Sequence, residues 1–286
     1  MIAYLYIVAW RLIRFLPLKF VIFVFSKMAL KAYDRNPKGV VNLRRNLGVV
    51  TKLSGIELEK LVKLGMISYA RYWAEAFKLP SFSDKRIDEM VKIEHSNRLI
   101  DPTLSKQGVV VALPHLANWD LAGRWFAKRT GEVVTVAERL KPEKLFDAFV
   151  KYRRSIGLIA LPANDRSTVT ELRAALEAGK LVALVADRDM SSSGIEVMFC
   201  GEICTMPSGP ASLAYATGSV LTTACLFNEQ EYLGGFIDEP IYIDKSLPRD
   251  EAIRMATQQM ADRFTAYVTN HPTDWHVLQR LWKIHA

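Results

Sequence analysis

Apolar positions along this chain change their spacing between its first third and the rest. Between Pro37 and Leu79 they recur at helical intervals, as in Leu58, Leu61, Leu64, Ile67 and Ala70, which predicts helices over 40–50 and 55–79. From Gly108 onward short β-branched runs take over: VVVAL (109–113), VVTVA (133–137), LIALP (158–162) and LVALVA (181–186). Helices are expected between them near 120–129, 142–155 and 167–178. Runs without polar alternation suit strands covered on both faces, and their alternation with helices predicts an α/β fold with a central, mostly parallel sheet flanked by helices. Farther on, 219–227 and 232–243 predict a hairpin across 228–231, IEVMF (195–199) reads as a strand with Glu196 on its polar face, and a helix is expected over about 249–270. Repeats and linkers are absent from the pattern, so residues 37–286 are expected to form one α/β domain behind an N-terminal segment, residues 1–36.

That segment opens with a long apolar stretch, but Arg11, Arg14 and Lys19 interrupt it before the roughly 18 apolar residues that a spanning helix needs. A cleavage pattern of small residues does not follow, and Pro17 divides the stretch into two short amphipathic helices. In the second, Lys19, Lys27, Lys31 and Arg35 fall within roughly 160° of arc at 100° per residue, leaving Phe20, Val21, Val24 and Phe25 for other directions. Charge sharpens this picture. The 286 residues, half of them hydrophobic, carry 38 basic and 30 acidic groups for a net +8. Residues 1–52 hold ten of the basic and one of the acidic groups, or +9, which leaves 28 against 29, or −1, for the remainder. Cations set among aliphatic and aromatic residues suit an anionic membrane surface, so that is the expected partner and nucleic acid is not. A helix that caps the domain core is the competing reading. Cys200, Cys204 and Cys225 form no metal or redox spacing and are expected to be small buried hydrophobes in a reducing compartment.

The candidate chemistry follows the first predicted strand. VVVAL runs into Pro114 and then His115-Leu116-Ala117-Asn118-Trp119-Asp120, at the strand end where sites gather in α/β sheets. An imidazole on the loop and a carboxylate in the first helical turn suggest that Asp120 reaches back to His115, fixes its tautomer and supports it as a general base. Glu138 and Arg139 close another predicted strand, Arg153 and Arg154 lie on a helix, and Asp187-Arg188-Asp189 close a third strand. Arg153, ahead of Arg188, is the expected partner of a substrate phosphate, Arg154 reads as a solvated helix face, and a structural ion pair is the comparable reading for Glu138. Loop N–H groups around His115 or in the Ser191–Gly194 turn are candidate oxyanion donors. Ser208 and Gly209 can open a helix toward an anion, while Trp275 and His276 read as groove wall or ordinary core, core being favoured for Trp275.

Through HLANWD and the apolar strand before it, the sequence resembles the HX4D lysophospholipid acyltransferase-like superfamily. VAERLKPEKLFDAFVKYRRSIGL, LVALVADRDMSSSGIEVMFCGE, MPSGPASLA and HPTDWHVLQRLW are similar to the bacterial lipid A acyltransferase and phosphatidylinositol mannoside acyltransferase group, closest to its actinobacterial members. The resemblance covers about Gly39 to Trp282. It implies an acyl-CoA donor used as substrate, no further cofactor, a phosphatidylinositol mannoside acceptor and peripheral attachment at the cytoplasmic face of the plasma membrane. It also implies His115 as the catalytic base, Asp120 as the motif acid, and Glu138 and Arg153 at the border of the acyl-donor groove. Asp187, or alternatively Asp189, would be the second carboxylate near the histidine, and Arg188 and Asp189 would border the substrates. The rivals are another acceptor such as a lipid A precursor or lysophospholipid, an acyl carrier protein as donor, a histidine-assisted thioesterase, and a non-catalytic membrane-surface protein. A dinucleotide fold, a P-loop and a serine nucleophile elbow are excluded by the missing glycine and GxSxG signatures.

Overall fold

Proline lacks the N–H that a helix interior needs, and the chain breaks at Pro17 before helix α1 (Leu18–Arg35) begins. A computed structural model describes residues 12–139, 142–163, 165, 167–189 and 194–282, so the first predicted amphipathic piece lies largely outside the described residues. Val21, Phe25 and Ala29, spaced by four, form the inward stripe of α1, and Phe25 meets the Phe77 ring edge-on at 5.8 Å. The apolar set expected to lie together is therefore divided: Val21 is buried, whereas Phe20, Phe23, Val24 and Met28 stand exposed beside Lys19, Lys27 and Lys31. Asn36 in a left-handed conformation and Pro37 stop the helix. Helices α2 (Lys38–Thr51) and α3 (Gly55–Lys78) follow as the spacing predicts. The Lys78 ammonium is buried against the carbonyls of Arg14 (2.9 Å) and Leu16 (2.5 Å), which ties the chain before Pro17 to the end of α3, and burial lowers its pKa. Among the described residues no helix is long and apolar enough to cross a membrane.

Residues 84–104, for which the pattern makes no prediction, form α4 (Asp84–Met90), β1 (Val91–Glu94) and α5 (Asn97–Leu104). The predicted alternation then follows: β2 (Val109–Leu113), α6 (Trp119–Thr130), β3 (Val133–Ala137), α7 (Glu143–Ser155), β4 (Leu158–Pro162), α8 (Thr168–Glu177) and β5 (Leu181–Val185). A small antiparallel hairpin, β6 (Ile195–Phe199) with β7 (Glu202–Met206), precedes α9 (Gly209–Thr217), β8 (Val220–Asn228), β9 (Leu233–Ile237) and α10 (Arg249–Asn270). Seven strands make one sheet in the order β1-β9-β8-β2-β5-β3-β4, parallel throughout except for the β8–β9 pair. The second predicted strand of that hairpin stops at Ile237 rather than 243, because Pro240 offers no ladder donor and the chain bends so that Ile241 N–H reaches Leu221 O.

Both faces of the sheet are covered. On β2, Val110 and Ala112 pack into one core cluster with residues of α2, α3, α9 and α10, while Val109, Val111 and Leu113 pack into another with α5 and α6. That two-sided burial explains why the strand runs lack alternation. It also leaves the carboxyl ends of β2, β3 and β5 as the place where polar side chains emerge.

Candidate active site

Register brings together two groups that lie 72 residues apart. Leu113 of β2 pairs with Val185 of β5, so His115 and Asp187, each two residues beyond that pair, leave adjacent strands side by side. Strands spaced about 4.8 Å apart put short side chains in contact. His115 Nδ1 lies 2.5 Å from Asp187 Oδ1, while Asp187 Oδ2 accepts the His115 backbone N–H at 2.9 Å and the Trp275 indole N–H at 2.8 Å. Asp187 is fully buried. Burial works to raise its pKa, but the His115 charge and the hydrogen bonds from His115 and Trp275 outweigh it and hold the carboxyl below its ordinary range. An ionised Asp187 accepts from Nδ1–H, which leaves His115 Nε2 as the proton acceptor of the neutral ring.

The loop that carries His115 is clamped from the far end of the chain. Leu116 and Trp275 form an antiparallel bridge, Ala117 N–H donates to Asp274 O at 2.9 Å, and His276 N–H donates to His115 O at 2.8 Å. These bonds hold Ala117 at φ 48°, a left-handed conformation that costs a residue with a Cβ about 1–2 kcal/mol. Asn118 caps α6 by accepting Leu121 N–H at 3.0 Å, and its amide donates to buried Glu75 at 2.9 Å. Glu75 is in turn paired with Arg71 at 2.7 Å.

The expectation that Asp120 reaches back to the imidazole is corrected. Asp120 does occupy the first turn of α6, but its Oδ2 accepts from Tyr72 Oη at 3.1 Å and its Oδ1 faces Arg153 Nη2 at 3.0 Å in an ion pair without hydrogen-bond alignment. A carboxylate this deeply buried needs a compensating charge, Arg153 is a permanent cation, and the imidazole is already held by Asp187. Burial acts against the charge of Arg153, yet Asp120 more than offsets it and raises the guanidinium pKa. Arg153 also lies 4.5 Å over the Phe149 ring, so its guanidinium stands between that ring and Asp120 while lining the cavity. Arg154 is exposed, as read.

Around the pair opens a cavity of about 400 Å³. Its floor consists of alternate residues on one face of the sheet, from Leu113, Val185 and Ala137 at the strand ends down to Val111, Leu181 and Val133. The four steps along β5 from Val185 to Leu181 give it a depth of about 13 Å. Helix α6 roofs it and passes so close that a Cβ on Gly123 would sit 2.9 Å from Leu158 Cδ2. The polar end holds His115, Glu138, Arg153, Arg188 and His276. Glu138 and Arg188 pair loosely at 3.5 Å. Asp189 accepts Gly194 N–H at 3.1 Å, tying its own turn. Such a site, apolar along its length and polar at one end, fits a fatty acyl chain with its carbonyl at His115.

Among the described residues, the proposed oxyanion donors are otherwise engaged. The N–H of His115 binds Asp187, Leu116 N–H bonds Pro114 O, Ala117 N–H bonds Asp274 O and Gly194 N–H bonds Asp189; Ser191–Ser193 lie outside the described residues. Glu196 is exposed on β6, and Ser208 and Gly209 begin α9 away from the cavity. The three cysteines are buried, and burial pushes each thiol up to about 12. Among the described residues no His, Cys, Asp and Glu cluster is arranged to hold a metal. The residues that pattern reading missed are Tyr72 and Glu75 on α3 and the functional side of Trp275, which is core as expected and also holds Asp187. A buried indole N–H needs an acceptor, and that was the one available signal.

The whole chain has known counterparts. Residues 1–284 match the family described as bacterial lipid A biosynthesis acyltransferase. A phosphatidylinositol mannoside acyltransferase of Mycolicibacterium smegmatis is 39% identical over 280 residues, covering 97% of this chain and 90% of that relative. Another of the same name, from Mycobacterium tuberculosis, is 37% identical over 286 residues, covering 97% of this chain and 87% of that relative.

Proposed function

The chain belongs to the bacterial lipid A biosynthesis acyltransferase family, and from that premise we propose that it moves a long-chain acyl group from acyl-CoA to a mannose hydroxyl of a phosphatidylinositol mannoside, with His115 as general base. One observation carries the chemistry: an imidazole oriented by a buried carboxylate at the polar end of an apolar cavity. A sugar hydroxyl is a weak nucleophile at neutral pH, and His115 Nε2 takes its proton as the oxygen attacks the thioester carbonyl. Asp187 stabilises the imidazolium that forms, a proton-transfer role typically worth about 10²–10⁴-fold. The tetrahedral intermediate then expels the thiolate, His115 returns the proton to sulfur, and an ester and free CoA leave. No covalent acyl-enzyme is needed. The acceptor rests on the names of the two relatives, and the long acyl group on the depth and apolarity of the cavity.

Helix α1 supports docking at a membrane. Its outward face combines Phe20, Phe23 and Met28 with Lys19, Lys27 and Lys31, the arrangement of a helix lying at the headgroup boundary, where each cation contributes about 1 kcal/mol against anionic lipid. Purified protein with labelled palmitoyl-CoA is expected to acylate phosphatidylinositol mannosides but neither a lipid A precursor nor lysophospholipid, and His115→Ala to abolish the transfer. Transfer to another lipid alone would overturn the acceptor, and full activity of His115→Ala would overturn the mechanism. Binding to anionic liposomes, measured alongside, should fall when residues 1–35 are removed; unchanged binding would remove α1 from the account.

A further inference from the structure

The carboxylate that orients His115 is itself held by a residue from the far end of the chain. Trp275 is fully buried, with Phe199 packed edge-on against its ring at 5.9 Å and Trp282 beside it at 6.1 Å. Asp274 pins the backbone next to it to two other elements. Its carboxylate accepts Ser68 Oγ–H of α3 at 2.7 Å, and the backbone N–H and side-chain amide of Asn228 on β8 at 2.7 and 2.8 Å. A ring fixed in this way aims its N–H in one direction, at Asp187 Oδ2, 2.8 Å away. Oδ2 also takes the His115 backbone N–H, so both fixed donors share one oxygen and Oδ1 is left for the imidazole.

The histidine and the aspartate must shed a shared proton before they can act. With two protons on the pair, Nε2 carries one of them and cannot take another. With one, the ring keeps it on Nδ1, Nε2 is open, and the pair bears a net negative charge in a buried place. Burial opposes an ionised Asp187, and the His115 charge that offsets it is gone in this second state. Among the described residues, three N–H donors then hold the anion: the ring's own Nδ1–H, the His115 backbone and the Trp275 indole. We propose that Trp275 is a positioning residue whose indole N–H, by stabilising Asp187 as an anion, keeps His115 available as a base to lower pH. This rests on the general-base reading of the preceding subsection. Facing the pair from other elements are His276, kept neutral because burial and the neighbouring His115 lower its pKa to about 3, and the Tyr69 and Tyr72 hydroxyls and Cys204 thiol, which burial keeps protonated. Two ion pairs complete the surroundings, Arg153 with Asp120 and Arg188 with Glu138. The neutral groups gain no charge near neutral pH, so a midpoint there reports the His115–Asp187 pair.

Trp275→Phe removes the donor and keeps an aromatic ring in the core. The indole N–H points its positive end at the pair and opposes a second proton there, so its loss lets the pair hold that proton to higher pH. Single-turnover transfer from palmitoyl-CoA to a phosphatidylinositol mannoside, followed from about pH 5 to 9, should show the acid limb moved up by about 0.5–1 pH unit. That is a loss of about three- to tenfold on the limb, fading toward the plateau at high pH. Spectra of protein labelled with ¹⁵N-histidine should show the same move in the midpoint at which His115 passes from imidazolium to the Nδ1–H ring, its signals identified by their absence in His115→Ala. In an Asp187→Asn background, Trp275→Phe should leave that midpoint where it was, because the indole acts through the carboxylate. If Trp275→Phe fails to fold, benzothienylalanine at position 275, which keeps the shape of the ring and has sulfur in place of the N–H, carries the same test. An unmoved midpoint, a rate lowered by one factor at every pH, or an equal shift in the Asp187→Asn background overturns the inference. Should no lipid be acylated, the acyl-transfer reading falls, and the spectra, which need no substrate, still decide what the indole does.

Discussion

Two buried aspartates within the same site do opposite things. Asp187 accepts three hydrogen bonds, two from His115 and one from Trp275, and its partner is a ring whose charge comes and goes. Asp120, equally buried, faces the guanidinium of Arg153, whose charge is permanent, and the hydroxyl of Tyr72. Only the first arrangement can take part in proton transfer, because only there does the carboxylate's stabilisation grow when a proton arrives at its neighbour. The second fixes geometry: it locks the first turn of α6 to α3 and α7, and so shapes the cavity roof.

The largest way to break this contrast is Asp187→Asn. With the carboxylate gone, the preferred tautomer and the imidazolium lose their support, and kcat is expected to fall about 10²–10⁴-fold while acceptor and donor KM change little. Single-turnover rates alongside circular dichroism check that the loss is chemical rather than structural; a fall of less than tenfold would make Asp187 a structural ligand of the loop. Asp120→Asn should do the reverse. It strands the Arg153 charge in the interior and is expected to lower global stability by about 3–5 kcal/mol in urea unfolding, with Asp120→Asn/Arg153→Met recovering most of it. A double variant no more stable than the single one would mean that Asp120 is held by Tyr72 rather than by the ion pair.

A smaller effect sharpens the comparison through pH. The folded pKa of Asp187 lies below its unfolded value, so its contribution to stability is complete above about pH 4 and is lost as pH falls through the folded value. His276 acts in a different window. Its folded pKa of about 3 lies below the 6.5 of a free histidine, so the unfolded chain binds the extra proton between those limits and stability drops as pH falls from 6.5 toward 3, at most about 1.4 kcal/mol per pH unit. Chemical denaturation from pH 7 to 4 should show that slope in the wild type and a flatter one in His276→Gln. Equal slopes would place the acid sensitivity elsewhere.

Strand runs 109–113, 133–137, 158–162 and 181–185, the helices between them and the helix at 249–270 were legible because apolar spacing is a local property with a period that backbone geometry imposes. Residues 84–104 were not, since α4, β1 and α5 are short and β1 becomes a strand only by pairing with β9, more than 130 residues later. The loop histidine was legible as well, from its place at a strand end, as were the polar residues closing the neighbouring strands. Which carboxylate serves it was not. Spacing along the chain favours Asp120, five residues away, but the order of strands in the sheet puts β5 beside β2 and delivers Asp187 to the same point. Trp275 and His276 come from the far end of the chain by a single bridge to Leu116. Periodicity carries no information about such meetings, because a hydrogen bond depends on distances in space and the chain's own order records only distances along the backbone.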